Sequence, residues 1–423
     1  MTTATVCTIG DEILIGQIID TNTAFIAREL NANGIKVNLK VSLGDDPETI
    51  IKVLKEELGR SDIVISTGGL GPTGDDLTKQ ALFRLSGASK WLHSAEQEAV
   101  NREILHSRGL DLLGNNATQA DYPDSASVIV NRLGTAPIPV FRLGGTEFPH
   151  HPVLYAMPGV PHETQAALPE VIADIRKRFP AEGSILHRSV MTYGIAESAL
   201  EQKITPWVKA LPPEMHLAYL PNILTGVRLR LSVYGSADPE ATERNLESQV
   251  ASLKELLGEL VYSDDDDTLE NTIGRLLRAN GRTLSVAESC TGGEISHLLT
   301  SVPGASEYYL GSVTSYAVAV KEKVLGVEME TIEKNGVVSK ETAASMAEGI
   351  RALTGSDFAV ATTGWADAYG DEREPAGTVW IAVTGPVGTR TLRAQYHNDR
   401  QRNIQRFAAT ALNFLRLYIL SCK

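Results

Sequence analysis

Ser289 stands where the segment 283–287, which reads as a strand, gives way to Glu288-Ser289-Cys290-Thr291-Gly292-Gly293. A strand, a glycine pair and then a helical pattern make a strand-to-helix corner, where backbone N–H groups can stabilise an oxyanion. That setting suits an acyl-transfer nucleophile, although a lone serine at such a corner is more often a helix cap, and the Gly-x-Ser-x-Gly elbow is absent. Cys290 competes as nucleophile because a helix N-terminus lowers a thiol pKa, and a buried structural cysteine is its ordinary alternative. A nucleophilic serine needs a base. His297 falls on the helix after Ser289 and His397 is remote, which leaves lysine. Lys321 could accept the proton if burial lowered its pKa, with Tyr316 to relay or orient it. Beside Glu322 and Lys323 it could equally be a surface lysine.

A second constellation is rich in carboxylates. Segment 67–76, Thr-Gly-Gly-Leu-Gly-Pro-Thr-Gly-Asp-Asp, follows an apolar strand and contains four glycines. Gly68, Gly69 and Gly71 let backbone N–H groups approach an anion closely, and the helix beyond adds its positive end. No Gly-Lys-Ser/Thr follows, so this is not a P-loop. Asp75 and Asp76 stand at the start of that helix, and Asp11 and Glu12 occupy the neighbouring strand end. Acids converging beside a phosphate cradle call for a counter-charge, which a hard divalent cation supplies. Capping and solvation of exposed acids is the plainer alternative.

The elements that position these groups follow a strand-helix rhythm. Residues 4–9 read as a buried strand, Phe25, Ile26 and Leu30 as a helix face stopped by Gly34, and Ile35, Val37, Leu39, Val41 and Leu43 as a period-2 strand. Asp46 caps a helix with Pro47 in its first turn, and residues 63–66 form a third strand. The alternation predicts a parallel sheet covered on both faces, with ligands beyond the carboxyl ends of its strands. The loops 10–12, 67–76 and 158–163 all fall there. From about 184 to 262 the order becomes strand, helix, two strands, helix, strand, which suggests a small split-βαβ module. The run Asp264 to Asp267 reads as a linker, because adjacent like charges resist compact packing. A second alternating α/β domain follows.

With 423 residues, 43% of them hydrophobic, the chain is globular and multidomain. Its net charge of −13 argues against nucleic acid as the main partner. Cys7, Cys290 and Cys422 lack disulfide or zinc spacing, and neither a signal peptide nor an apolar run of about 20 residues is evident, so a soluble cytoplasmic protein is expected.

Gly-Asp-Glu-Ile-Leu from Gly10, Gln17, Asp20-Thr21-Asn22, Gly-Gly-Leu-Gly-Pro-Thr-Gly-Asp-Asp from Gly68 and Met-Pro-Gly-Val-Pro-His-Glu from Met157 resemble the molybdopterin-binding fold of the CinA (competence/damage-inducible) family. The segments 287–293, 302–306, Tyr316 to Lys321, 325–327, 336–339 and 346–349 resemble that family's nicotinamide-nucleotide amidohydrolase domain. The resemblance spans the chain. It implies a doubly wound molybdopterin-binding-like α/β domain over 1–180, a KH-like α+β module over 181–262, an acidic linker over 263–268 and an α/β amidohydrolase domain over 269–423. For the first domain it implies metal-dependent hydrolysis of ADP-ribose to AMP and ribose 5-phosphate, with Asp11, Glu12, Asp75, Asp76 and Glu163 meeting metal or substrate.

For the last domain the resemblance implies hydrolysis of nicotinamide mononucleotide to nicotinate mononucleotide and ammonia, without a cofactor. The residues at the family's active-site positions are Ser289, Tyr316, Lys321, Thr363 and Arg400. Arg400 with the Thr363-Gly364 turn would hold the phosphate, and Gly292 and Gly293 would border the substrate; Arg400 could equally pair with Asp399. The chain departs from the family at two stretches. Tyr-Ser-Asn is replaced by Tyr316-Ala317-Val318, and Gly-Ile-Ala-Gly-Pro-Asp-Gly-Gly by Gly364-Trp365-Ala366-Asp367-Ala368-Tyr369-Gly370-Asp371. Trp365 and Tyr369 suit stacking on a ring or sealing a contact equally. The middle module lacks the Gly-x-x-Gly clamp of RNA-binding KH domains, which favours a linking or dimerising role. The expectation is a homodimeric two-site hydrolase of pyridine-nucleotide salvage; the alternative is an inactive ligand-binding scaffold linked to competence or DNA damage.

Overall fold

The computed structural model describes residues 1–71, 73, 76–107, 109, 118–180, 183–367 and 370–422. They form two compact units, 1–186 with 233–242, and 187–232 with 243–423. Among the described residues no helix is long and apolar enough to cross a membrane.

The first unit begins with β1 (Thr3–Ile9), α1 (Asp11–Leu14), α2 (Thr21–Ala32), β2 (Lys36–Leu43), α3 (Pro47–Leu58), β3 (Ile63–Thr67) and α4 (Thr78–Leu85). An excursion through β4 (Trp91–His93), α5 (Ala95–Ser107) and β5 (Asp121–Pro123) precedes β6 (Ala126–Ile129), β7 (Ile138–Arg142), β8 (Val153–Met157) and α6 (Pro161–Arg178). The helix starts are local events. Asp20 accepts the Thr23 amide at 2.9 Å to open α2, and Asp46 accepts the Thr49 amide at 2.8 Å to open α3, with Pro47 next to it.

The main sheet has the order β2-β1-β3-β8-β7-β6. β2, β1, β3 and β8 are parallel, whereas β7 and β6 run antiparallel. The expected all-parallel arrangement is therefore confined to four strands: no helix lies between β6 and β7 or between β7 and β8, and without a crossover the chain can only fold back. Alternate residues of the buried strands feed two cores. Val6, Ile63, Ile65, Val153 and Tyr155 pack with Ile26 and Leu30 of α2 and Leu168 and Val171 of α6. Cys7, Ile9, Val64, Leu154 and Ala156 pack with Ile50 and Leu54 of α3 and Leu82 of α4.

The middle module comprises β9 (Ser184–Thr192), α7 (Glu197–Lys209), β10 (His216–Asn222), β11 (Gly226–Ser236), α8 (Pro239–Leu257) and β12 (Val261–Ser263), in a sheet of order β10-β11-β9-β12. The acidic run after it is anchored. Asp264 pairs with Lys254 at 2.5 Å, Asp265 with Arg275 at 2.6 Å and Asp266 with Arg228 at 2.9 Å, while Asp267 lies 3.3 Å from Arg275. Repulsion among the four acids is offset by cations from three separate elements, which a local reading of the run does not reveal.

The C-terminal part contains α9 (Leu269–Ala279), β13 (Leu284–Glu288), α10 (Glu294–Thr300), β14 (Tyr309–Thr314), α11 (Val318–Leu325), α12 (Met329–Asn335), α13 (Lys340–Thr354), β15 (Phe358–Gly364), β16 (Thr378–Gly385), β17 (Gly388–Gln395) and α14 (Arg400–Leu420). Its sheet runs β14-β13-β15-β16-β17, parallel across the first three strands and antiparallel beyond. Leu284, Val286, Phe358, Val360 and Ile381 face Ile273 of α9 and Phe407 and Leu415 of α14. The opposite face is lined by Ala287, Ala359, Ala361 and Ala382 against Met346 and Ala347 of α13, small side chains that bring helix and sheet close together.

Candidate functional site

In the first unit the loops after β1, β3 and β8 meet in a cleft of about 560 Å³, where a parallel sheet presents its strand ends. Gly68 carries φ 108°, and a Cβ there would stand 2.0 Å from the Ile9 carbonyl oxygen, so only glycine lets the β3 loop pass the end of β1. Gly68, Gly69, Gly71, Glu12, Asp76 and Glu163 all line the cleft. Asp11 does not: it exchanges bonds with Asp45, whose carboxylate accepts the Asp11 amide at 3.0 Å and whose own amide donates to Asp11 at 3.3 Å. Asp75 lies outside the described residues. The Glu163 carboxylate accepts from Asn131 Nδ2 at 2.8 Å, and Asp76 accepts the Thr73 amide at 3.1 Å.

Three cleft residues had no role assigned from the sequence. Asp45, at the end of β2, has its pKa raised by burial and by the charges of Asp11, Glu12 and Asp76, against one bond from the Asp11 amide. Asp20 is partly buried, but bonds from Thr23 and Thr8 and the charge of Lys40 outweigh that burial and keep its pKa low. Asn22 Nδ2 donates to the Gly159 carbonyl at 2.7 Å and ties the β8 loop to α2. Asp45 was legible as an acid at a strand end, the same signal that marked Asp11 and Glu12. Among the described residues no group of three acids forms a metal-ligand cluster. The mutual repulsion of Asp45 with Asp11, Glu12 and Asp76 is what a hard cation such as Mg²⁺ would relieve, since it takes one or two carboxylates and completes its shell with water and phosphate oxygens.

In the C-terminal part the strand ends again set the geometry. Ser315 N donates to the Glu288 carbonyl at 2.7 Å and Ser289 N to the Thr362 carbonyl at 3.0 Å, so Ser289 is held between the ends of β14 and β15. Lys321 of α11 is fully buried, and its Nζ lies 2.9 Å from Ser289 Oγ. The same ammonium donates to the Ser315 carbonyl. Burial pushes the Lys321 pKa down from 10.5 to about 8. The structure thus brings together the serine and the lysine singled out from the sequence.

The corner beyond Ser289 differs from expectation. Gly293 takes φ 108° at the start of α10, but its amide donates to the buried Glu288 carboxylate at 3.0 Å, and the Gly292 amide donates to the Ser289 carbonyl at 3.2 Å. The two glycines shape the turn, and their N–H groups are already bonded. Glu288 also accepts the amides of Ile295 at 3.1 Å and Ser296 at 2.9 Å together with the Ser296 hydroxyl. Cys290 is buried, which raises its thiol pKa to about 12, against bonds from Thr362 and its own amide. Such a thiol is inert. Cys290→Ala is therefore expected to retain any ammonia-releasing activity, and iodoacetamide to leave the native chain unlabelled at this position by mass spectrometry.

The other residues of the predicted site surround this pair differently. Tyr316 is exposed, and its hydroxyl accepts from Arg400 Nη2 at 2.9 Å. The second arm of Arg400 pairs with Asp367, while Asp399 accepts the Arg402 amide at 2.9 Å as the cap of α14, so the alternative partner Asp399 is not the one used. Thr363 is buried, with its hydroxyl donated to the Val337 carbonyl at 2.7 Å. A Cβ at Gly364 would meet the Thr378 carbonyl oxygen at 2.4 Å and Cys290 Sγ at 3.2 Å, so this residue closes the floor of the turn. Trp365 leaves its buried Nε1 without a hydrogen-bond partner. Tyr369 lies outside the described residues.

Three family models match successive parts of the chain: "Probable molybdopterin binding domain" over 5–177, "Damage-inducible protein CinA KH domain" over 187–263 and "CinA C-terminal domain" over 266–419. The chain is 40% identical over 423 residues to a CinA-like protein of Cytophaga hutchinsonii, covering 99% of each. It is 37% identical over 424 residues to one of Flavobacterium psychrophilum, covering 99% of this chain and 98% of the relative. Among solved structures, the competence damage-inducible protein A of Klebsiella pneumoniae is 33% identical, with 37% of this chain and 97% of that chain aligned at a TM-score of 0.36. The three domains in order and the full-length identity lead to one conclusion: the chain belongs to the CinA family.

Proposed function

We propose that the C-terminal site hydrolyses the carboxamide of nicotinamide mononucleotide to the carboxylate and ammonia. The supporting observation is the fully buried Lys321, its pKa depressed, 2.9 Å from Ser289 Oγ. In the neutral state Lys321 takes the Ser289 proton as Oγ attacks the amide carbon, forming the C–O bond. It then gives that proton to the departing nitrogen as the C–N bond breaks and ammonia leaves. Water attacks the resulting ester with Lys321 again as base, which restores Ser289 and releases the acid. The Ser315 carbonyl holds the lysine in place throughout. The test is ammonia release from nicotinamide mononucleotide by pure wild type and by Ser289→Ala; no release by the wild type rejects the reading.

For the first unit we propose metal-dependent cleavage of ADP-ribose to AMP and ribose 5-phosphate. A divalent cation near Asp76, Glu12 and Asp45 would neutralise pyrophosphate oxygens. The chain's own part is to cradle the phosphates along Gly68 to Gly71 and to hold the β8 loop through Asn22. Asp76→Ala and Glu12→Ala are each expected to lower AMP formation by about 10²-fold or more, as loss of a charged group facing the reacting centre does. Asp75→Ala is expected to behave likewise. Turnover unchanged in all three variants would remove these acids from the reaction.

A further inference from the structure

Arg400 is the cation that the predicted site offers to a substrate phosphate, and both arms of its guanidinium are engaged from within the chain. Nη2 donates to Tyr316 Oη at 2.9 Å, and Nη1 is paired with the carboxylate of Asp367. Tyr316 directly follows Ser315, whose carbonyl holds Lys321, so the Asp367–Arg400–Tyr316 chain adjoins the nucleophile's own support. Asp367 itself stands where the family's Gly-Ile-Ala-Gly loop has its second glycine, a residue with no side chain to compete for an arginine.

A carboxylate in that position does what a substrate phosphate would do. It occupies one arm of the guanidinium and faces it with a negative charge before any ligand arrives. A phosphate that reaches Arg400 must displace Asp367 and then lie beside it, so the charge-assisted bonds it forms are offset by those it breaks and by repulsion between two anions. A pyridine nucleoside without the phosphate meets no such obstacle. We infer that Asp367 is a specificity-determining residue that removes the phosphate from recognition, so that the C-terminal site takes the carboxamide of a phosphate-free pyridine nucleoside about as well as that of the mononucleotide. This rests on the amide-hydrolysis reading above and narrows its substrate class.

The experiment compares ammonia release from nicotinamide riboside and from nicotinamide mononucleotide by the full chain, by Asp367→Gly and by Asp367→Asn, the last keeping the size of the side chain in case the glycine variant fails to fold. The wild type is expected to show kcat/KM values for the two substrates within about threefold of each other, and each variant to raise the nucleotide-to-nucleoside ratio about tenfold or more, chiefly through KM. A wild type that prefers the nucleotide by about a hundredfold, with a ratio that neither substitution moves, overturns the inference and leaves the amidase reading standing. Ammonia from neither substrate overturns both.

Discussion

Replacing Lys321 with Met is expected to lower ammonia release from nicotinamide mononucleotide by at least about 10³-fold, and Ser289→Ala to do the same, because nucleophile and base act as a unit. The double variant should be little worse than either single one. Only the neutral amine can accept the Ser289 proton. With the Lys321 pKa pushed down to about 8, kcat/KM should rise with pH and level off above about 8. Lys321→Arg should fail as fully as Met, since a guanidinium keeps its proton. A flat pH profile between 6 and about 8, or an active Met variant, would assign the proton transfer elsewhere.

The same group links pH to stability with a definite sign. Its pKa in the fold is about 8, against 10.5 for an ordinary lysine, so between those limits the unfolded chain binds more protons. The burden of burying the ammonium is fully present below about pH 8 and is relieved as the pH rises towards 10.5. Lys321→Met should flatten that part of the stability curve in denaturant titrations, a readout independent of catalysis.

Glu288→Ala is expected to be among the most destabilising single changes in the C-terminal part. The buried carboxylate accepts the amides of Gly293, Ile295 and Ser296 and the Ser296 hydroxyl, and so holds the first turn of α10 against the end of β13. Bonds to a charged acceptor contribute more than neutral ones, and their donors would be left buried and unpaired; the loss should be roughly 3 kcal/mol or more. Glu288→Gln keeps one acceptor oxygen and should recover part of it. Because Ser289 is the next residue, turnover in folded Glu288→Ala should fall through kcat. Thermal melts and steady-state kinetics of the two variants separate these effects, and a Glu288→Ala chain as stable as wild type would show the cap to be dispensable.

Much of this was legible in the chain as written. Asp46-Pro47 announced the start of α3, the alternation through β1 and β3 announced a sheet covered on both faces, and the segment around Ser289 announced a strand-to-helix corner. Each rests on neighbours in sequence: a cap bonds three residues ahead, and a strand shows its two faces every second residue. The Asp264 to Asp267 run was read from its own charges, yet its structure depends on Arg228, Lys254 and Arg275, none of them adjacent. Asp45 and Glu288 carried no role in sequence because an acid at a strand end looks the same whether it caps, repels or binds.

Local pattern was enough to specify that Ser289 sits on a strand-to-helix corner and that Lys321 follows in the next segment. It could not specify that the lysine is buried, that its proton affinity falls, or that Arg400 meets Asp367 instead of Asp399. Those outcomes depend on which groups exclude water and which charges meet from elements far apart in the chain. They were decided only when β13, β14 and β15 aligned and carried residues distant in the chain to within hydrogen-bonding reach.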